Sequence, residues 1–322
     1  MWLLLLASIW GASYMFIKIG LRDLSPAMVA FLRIALAAAV LMPVAASQGA
    51  LRGLGGRAGT LAVLGGIQVA GPFYLIPLGE QDIASALAGI LVATTPIFTA
   101  LLAIWVDHEE RSQGLRLAGI VVGIAGVLAL FGLDLSGSHA AVLGGVAVVA
   151  ASLGYAIGGF IVKHRFATAR PLGLVACVMT ASALLLLPAA LATWPSEAPG
   201  AGPLAAVAVL GLLGTGVAFV IFYALIAAVG PARTMLVSYV APGFAVIYGA
   251  VLLGEEITAA TILGLALIVL GSWLAAEGRL PGAAGELLGS APRPAPSEAR
   301  PGRPAPAPGQ SRRPTRTARG AS

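Results

Sequence analysis

The residue with the clearest capacity for chemistry is an arginine inside a long apolar run. Arg33 lies in the run from 25 to 46, roughly 13 Å along a helix that rises 1.5 Å per residue. A charge deep in a bilayer costs about 2.5–3.5 kcal/mol, so this side chain is expected to face protein or water. It could contact an anionic group of a ligand or gate a cavity. Alternatively, it could snorkel to the interface or tie neighbouring carbonyls together.

Aromatic and polar side chains in other apolar runs could line a cavity. Trp10 and Tyr155 are the favoured pair, because they occupy equivalent positions in the internal repeat described below and combine an apolar ring with a polar group. Helix packing or anchoring at the membrane interface is the alternative role for each aromatic side chain. The remaining candidates for substrate binding are Tyr14, Gln68, Tyr74, Thr94, Thr95, Tyr223, Ser238 and Tyr239.

Prolines inside the apolar runs are candidates for kinks or hinges. A proline lacks the backbone N–H and its ring clashes with the preceding turn, so it bends a helix and frees carbonyl groups. Such carbonyls are tolerated in a membrane where they line a cavity. The candidates are Pro72, Pro77, Pro96 and Pro242.

Sequence signals for enzymes and for metal or cofactor sites are weak. The segment from His108 to Ser112 begins like a zinc-protease helix but lacks the second histidine four residues later. The sequence contains neither a G-x-S-x-G nor a G-x-x-x-x-G-K-[ST] motif. We therefore predict a protein that is not an enzyme, with no catalytic residue, no metal and no cofactor.

The elements that must position these residues are membrane-spanning helices. Charged residues make up 10% of the 322-residue chain and hydrophobic residues 59%, which excludes most soluble folds. Continuous apolar runs, rather than alternating ones, predict an all-α integral membrane protein and argue against a barrel. Ten runs are predicted: 2–19, 25–46, 60–79, 83–106, 115–132, 140–162, 171–193, 203–228, 232–253 and 258–276. The first is expected to be a retained helix, because it lacks the basic start of a signal peptide.

The net charge of +6 comes from one end of the chain. Residues 279–322 contain eight arginines, two glutamates and nine prolines, whereas the body is formally neutral. The charge therefore argues against a nucleic-acid partner, and the segment 278–322 is expected to be a disordered tail. Basic residues cluster in alternate loops, which predicts cytoplasmic N- and C-termini. The cytoplasmic loops would hold Arg52, Arg57, Arg111, Arg116, Lys163, Arg165, Arg170 and Arg233, and the opposite loops Arg22.

The chain repeats itself at an offset of 145 or 146 residues. At 145, Lys18 aligns with Lys163, and Pro26 with Pro171. At 146, Pro96 aligns with Pro242, and the pair Glu109–Glu110 with Glu255–Glu256. Each repeat would hold five helices, an odd number, so the second repeat crosses the membrane in the opposite direction. Inverted repeats suit alternating access to a site near the bilayer midplane.

Several segments resemble EamA-type transporters of the drug/metabolite transporter superfamily. They are WGASYMFIK from Trp10, SPAMVAFLRIALAAAVL from Ser25, IASALAGILVATTPIFTALLA from Ile83, PARTMLVSYVAPGFAVIYGAVLLGEEIT from Pro231 and GLALIVLGSWL from Gly264. The resemblance implies a ten-helix inner-membrane permease made of two EamA repeats, at 1–133 and 139–277. It also implies export of small metabolites such as amino acids, or of drugs.

Small multidrug resistance relatives in this superfamily use a glutamate in their first helix for proton exchange. The first helix here has no acid, and every acid of the body falls at a predicted helix end or loop. A central carboxylate relay of that type is therefore not expected. The cations Lys18 and Arg33 favour neutral, zwitterionic or anionic cargo. Anchoring of the first helix at the interface is the simpler role for Lys18, and lining the outer mouth of the cavity is the alternative.

The sequence thus predicts a secondary transporter in the cell membrane, with the lipid bilayer and a small molecule as its partners. A lipid or isoprenoid-carrier translocase, or a channel, is the alternative. Substrate identity, coupling ion and oligomeric state have no signal in these residues.

Overall fold

The computed structural model describes residues 1–106, 114–135 and 137–277, in which every regular element is a helix. The acidic pair Glu109–Glu110 and the tail 278–322 lie outside the described residues. The helices are α1 Trp2–Gly20, α2 Pro26–Ser47, α3 Gly55–Glu80, α4 Ser85–Val92 and Thr95–Val106, α5 Leu115–Leu133, α6 His139–Arg165, α7 Pro171–Ala192, α8 Ala201–Val229, α9 Val237–Leu253 and α10 Ala259–Glu277.

The prediction of an all-α membrane protein with ten spanning helices is confirmed. Within the described residues, nine helices are long and apolar enough to cross a bilayer, and α9 is a shorter apolar helix. A helix satisfies its own backbone hydrogen bonds, which lipid cannot do. Differences from the predicted limits are small: α9 starts at Val237 after a separate turn, Pro231–Thr234, and α3 starts at Gly55.

Equivalent helices of the two halves share local details. Both α2 and α7 contain 22 residues and begin with a proline, Pro26 and Pro171, whose missing N–H costs nothing at a helix start. Both α3 and α8 contain a wider π-helical segment, Gly66–Ala70 and Leu212–Val217. These segments start 146 residues apart, so the repeat seen in the sequence extends to the backbone irregularities. Such π segments frequently mark functional sites.

Helix α4 is interrupted halfway along. Turn residues Ala93 and Thr94 separate its two segments, and Pro96 is the second residue of the second segment. The Thr94 hydroxyl donates to the Leu91 carbonyl at 2.6 Å, and the Thr94 amide donates to the same carbonyl at 3.1 Å. In the equivalent helix α9, Pro242 lies inside one continuous helix. Two prolines at matching sequence positions therefore have different backbone surroundings.

Helices of one repeat pack mainly against helices of the other. Helix α2 packs against α7, and α5 packs against α10. Helix α1 packs against α8 and α9, and its equivalent α6 packs against α3 and α4. Loops 21–25, 81–84, 193–200 and 254–258 lie at one end of the bundle, which we call the Lys18 end. Loops 48–54 and 166–170 lie at the opposite end, which we call the Arg57 end.

The α5–α10 contact is built on glycines and is symmetric. A Cβ added at Gly119 would meet Ala275, and one added at Gly264 would meet Leu130. Gly119 and Gly264 are equivalent positions of the two repeats, because they differ by the repeat offset of 145 residues. Leu130 and Ala275 are equivalent in the same way, so exchanging the repeats turns one contact into the other. Small residues let helix backbones approach closely in a membrane, where packing replaces the hydrophobic effect as the attraction. The contact we call the glycine seam thus joins the two repeats about a local twofold axis.

We expect Gly271→Val to destabilise the protein by about 1–3 kcal/mol, the usual cost of overpacking. A Cβ at position 271 meets backbone atoms of Gly123 and Gly119, which cannot rotate away. Thermal unfolding of the purified protein in detergent would measure the change as a lower midpoint. Gly243→Val is the matched control, since a Cβ there has nothing within 4 Å. Equal losses for both variants would contradict this account of the seam.

Candidate functional site

Arg33 connects the two repeats in the interior of the bundle. Its side chain is 8% exposed, and its Nε donates to the Thr215 hydroxyl of α8 at 2.8 Å. The guanidinium carbon lies 4.0 Å from the centroid of the Phe73 ring on α3, a cation–π distance. Thr215 belongs to the π segment of α8, and Phe73 follows the π segment of α3. The two irregular segments therefore hold the arginine between them.

Two tyrosines complete what we call the central cluster: Arg33, Phe73, Thr215, Tyr14 and Tyr155. The phenol groups of Tyr14 on α1 and Tyr155 on α6 both interact electrostatically with the arginine. The Tyr155 ring also meets Phe73 edge-on, with centroids 6.5 Å apart. Both tyrosines pack against the hydrophobic core yet keep part of their surface accessible.

The chemistry available in the central cluster is recognition of an anionic group. Phe73 covers one face of the Arg33 guanidinium, and Thr215 occupies its Nε. Among the described residues, no hydrogen bond occupies its two terminal nitrogens. An arginine presents those nitrogens as a planar fork that matches a carboxylate or phosphate. The phenols of Tyr14 and Tyr155 could add donors or acceptors beside the fork.

Lys18 lies nearer to one end of the bundle and has a different role. Its ammonium donates to the Ile83 carbonyl at 2.9 Å and to the Glu80 carbonyl. Glu80 is the last residue of α3 and Ile83 lies in the loop after it, where the end of a helix leaves backbone oxygens without partners. Lys18 thus ties α1 to the loop between α3 and α4. The sequence predicted either interfacial anchoring or lining of the outer mouth for Lys18, and neither role included this contact.

Carboxylates fasten the Lys18 end across the repeats. Glu255 accepts hydrogen bonds from the backbone N–H groups of Ser85, at 2.7 Å, and Ala86, at 3.0 Å. These are the first amides of α4, so the carboxylate caps a helix of the other repeat. Asp134 similarly accepts from the hydroxyls of Thr258 and Thr261, at 2.7 and 2.9 Å. The sequence identified Glu255 only as a marker of the repeat.

Trp10 and Tyr155, the pair favoured from the sequence, lie in different aromatic groups. Trp10 packs against α8, with its ring centroid 6.2 Å from Phe219 and 5.3 Å from Phe222. Tyr223 belongs to this same group, 5.5 Å from Phe222. Tyr155 instead lies beside Phe73 in the central cluster. The two positions that the repeat predicted to line a cavity therefore have different neighbours, and their lining role stays a prediction.

The remaining candidates are dispersed. Gln68, in the π segment of α3, lies against Gly158 of α6, and Tyr74 packs against a hydrophobic cluster built mainly from α2, α3 and α7. The hydroxyls of Thr94 and Thr95 both donate hydrogen bonds to carbonyls of their own helix. Those two hydroxyls serve the interruption of α4 rather than the central cluster.

Ser238 and Tyr239 begin α9, away from the central cluster. The Ser238 amide donates to the Met235 carbonyl at 3.0 Å. The Tyr239 ring lies 5.3 Å from Trp273 of α10, and both line a groove of about 410 Å³ between α9 and α10. Of the four proline candidates, Pro72 and Pro77 occupy the segment of α3 that carries Phe73. Whether any of them acts as a hinge stays a prediction.

Sequence reasoning missed Phe73, Thr215 and Glu80. Thr215 had a detectable signal, since it is a hydroxyl flanked by Gly214 and Gly216 in a long apolar run. Phe73 had none, because an apolar ring in an apolar run is not distinctive. Glu80 lies at a helix end, as expected of every acid in the body, but it is fully buried there. A position at a helix end therefore does not exclude an interior carboxyl.

Comparisons with known proteins identify relatives over most of the chain. The model of the EamA-like transporter family matches residues 1–132 and 142–276. The chain is 29% identical over 271 residues to an uncharacterized inner membrane transporter, YedA, of Escherichia coli (strain K12), covering 81% of this chain and 85% of the relative. A solved crystal structure has a TM-score of 0.62 at 21% identity, over 85% of this chain and 95% of that one, a likeness in fold alone.

Two further relatives have more informative names. A probable amino-acid metabolite efflux pump of Escherichia coli (strain K12) is 34% identical over 161 residues, which cover 50% of this chain and 52% of the relative. A probable terminal-alkyne amino-acid exporter of Streptantibioticus cattleyicolor is 29% identical over 287 residues, which cover 85% of this chain and 92% of the relative.

We expect Thr215→Val to reduce stability by about 1–3 kcal/mol, because it leaves a buried charged donor, the Arg33 Nε, without its acceptor. Unfolding in detergent would measure the loss. Thr180→Val is the matched control, since the Thr180 hydroxyl bonds within its own helix, to the Ala176 carbonyl at 2.9 Å. A Thr215→Val protein as stable as the control would show that the Arg33–Thr215 contact contributes little.

Proposed function

We propose that this chain, which belongs to the EamA-like transporter family and is a multi-pass inner-membrane transporter, exports small zwitterionic or anionic molecules. The proposed cargo is a metabolite such as an amino acid, or a drug, and the proposed mechanism is alternating access between the two repeats. The observation that carries the proposal is Arg33, a buried cation whose terminal nitrogens form no hydrogen bond to any described residue and could receive an anionic group.

The nature of the cargo follows from the charge inside the bundle. Arg33 would bind the carboxylate of an amino acid through its planar fork, and a cation would be repelled. Tyr14 and Tyr155 offer neutral hydrogen-bonding groups for the rest of a polar molecule. Two relatives carry names that refer to amino acids or their metabolites, which agrees with this class of cargo.

Alternating access is supported by how the two repeats meet. Arg33 bonds from the first repeat to Thr215 of the second, so the binding groups lie between them. The two segments of α4 also have different neighbours: Ser85–Val92 packs against α9, and Thr95–Val106 packs against α10. Movement at the interruption of α4 could then open one end while the other stays closed.

Orientation is part of the proposal. With basic loops on the cytoplasmic side, both chain termini lie in the cytoplasm and the Lys18 end faces the opposite side. The contacts of Glu255 and Lys18 would then close the outer end of the transporter, and outward release would require them to break.

The test is counterflow of radiolabelled amino acids in proteoliposomes. Saturable exchange is expected for the wild-type protein, and Arg33→Ala should lose about 10- to 100-fold, equivalent to a charge-assisted hydrogen bond of about 1.5–3 kcal/mol. Arg22→Ala is the matched control, because Arg22 is an exposed arginine in loop 21–25. The same vesicles should show little transport of an organic cation.

Three results would contradict the proposed function. Linear, unsaturable flux would indicate a channel, and scrambling of labelled lipid without exchange would indicate a lipid translocase. Transport of organic cations with no loss in Arg33→Ala would refute the role of the arginine while leaving a transporter.

A second test addresses closure of the Lys18 end. We expect Glu255→Gln to speed hydrogen exchange at the amides of Ser85 and Ala86 by roughly tenfold or more, because an amide side chain can accept through only one oxygen. Mass spectrometry of the protein in nanodiscs would follow peptides containing residues 83–92. Glu256→Gln, a change at the exposed neighbouring glutamate, should leave them unchanged. Identical exchange in both variants would show that Glu255 does not hold this end closed.

A further inference from the structure

Glu80 is an interior carboxyl group that has no hydrogen-bond partner within the part of the chain that the structure describes. It is the last residue of α3 and is 0% exposed. Both of its carboxyl oxygens are buried without a partner among the described residues, and so is the hydroxyl oxygen of nearby Ser85. Burying a carboxylate without donors is very unfavourable, whereas a protonated carboxyl is neutral and can itself donate. The geometry therefore fits a carboxylic acid rather than a carboxylate.

Charged groups from several elements surround Glu80, but none of them satisfies its carboxyl. Lys18 interacts with it electrostatically, yet the Lys18 ammonium is bonded to the carbonyls of Glu80 and Ile83. Glu255 and Arg33 are the other charged groups that interact with it electrostatically, and neither forms a hydrogen bond to its carboxyl among the described residues.

Other ionisable groups lie on the elements around Glu80, and none of those described forms a hydrogen bond to its carboxyl. Tyr14 interacts electrostatically with Glu80 from α1, and Tyr155 is the ionisable side chain that α6 contributes to the central cluster. His139, at the start of α6, and Asp82, in loop 81–84, are exposed to the surroundings. Among the described residues, no group of three or more histidine, cysteine or acidic residues could hold a metal ion. A proton is the ligand that this position fits.

We propose that Glu80 is a proton-binding site that is occupied while the Lys18 end is closed and is emptied when that end opens. This inference rests on the proposed alternating access. Opening separates Glu255 from the first amides of α4, beside Ser85, and admits water to the Glu80 carboxyl. Water stabilises the ionised form, so the proton leaves. Because the closed state holds one more proton, raising the pH favours opening and lowering it favours closure.

Infrared spectroscopy tests proton occupancy without any substrate. Wild-type protein in nanodiscs at neutral pH should show the carbonyl stretch of a protonated carboxylic acid, and Glu80→Gln should remove it. Glu197→Gln is the control, because Glu197 is an exposed glutamate of loop 193–200. This substitution should leave the band unchanged. Absence of the band from the wild-type protein would overturn the proposal whether or not the variant folds.

Electron resonance distance measurements test the link to opening. Spin labels would be attached to cysteines introduced at Gln81 and Glu256, two exposed positions on either side of the contact between Glu255 and the start of α4. The distance between the labels would report the separation of the repeats. Cys177→Ser would remove the chain's single natural thiol. We expect the wild-type labels to move apart as the pH rises and the Glu80→Gln labels to stay close at every pH. The same pH response in both proteins would overturn the proposal.

Failure of the proposed function gives a different pattern. Wild-type protein that shows no exchange of any labelled amino acid, yet keeps the infrared band and its pH-dependent distances, would refute the cargo and leave the proton site intact. Saturable exchange without the band would refute the proton site and leave the transporter.

Discussion

A guanidinium group held inside an apolar bundle is the constraint on which much of the interior depends. Arg33 cannot face lipid cheaply, and its partners are drawn from both repeats: the ring of Phe73 from one and the hydroxyl of Thr215 from the other. Both partners lie in or beside a π segment, where the helix is wider than an α-helix. Removing the charge would release the helices from this arrangement, and keeping it leaves a cation in the space between the repeats.

Polar side chains join neighbouring helices at the Lys18 end of the bundle. The partners are backbone groups at helix ends: Lys18 donates to carbonyls at and just after the end of α3, and Glu255 accepts from the first amides of α4. Each side chain thereby crosses from one helix to the end of another. Glu80 lies among these groups, and its carboxyl has no partner among the residues described, which is why we propose that closure and its protonation are connected.

Much of the architecture could be predicted from the sequence, and much less of the site. Long apolar runs and prolines such as Pro26 and Pro171 determine where helices lie, because length and helix-start chemistry are local properties. The identity of the side chains around Arg33 depends on how helices rotate. A π segment inserts an extra residue into a turn and offsets all later positions by about 100°, so a regular helical period does not place Phe73. The burial of Glu80 depends on packing by other helices, which its position at a helix end does not reveal.

The glycine seam between α5 and α10 has a consequence for how such a chain could arise. Its contacts occur in exchangeable pairs, Gly119 with Ala275 and Gly264 with Leu130, so the surface of α5 is complementary to that of its own copy. This is the defining property of an isologous interface. A single five-helix unit bearing this surface would carry what it needs to pair with an identical unit inserted upside down. Fusion of two such units into one chain fixes their opposite orientations through the covalent connection. Separate subunits would instead have to insert into the membrane in both orientations.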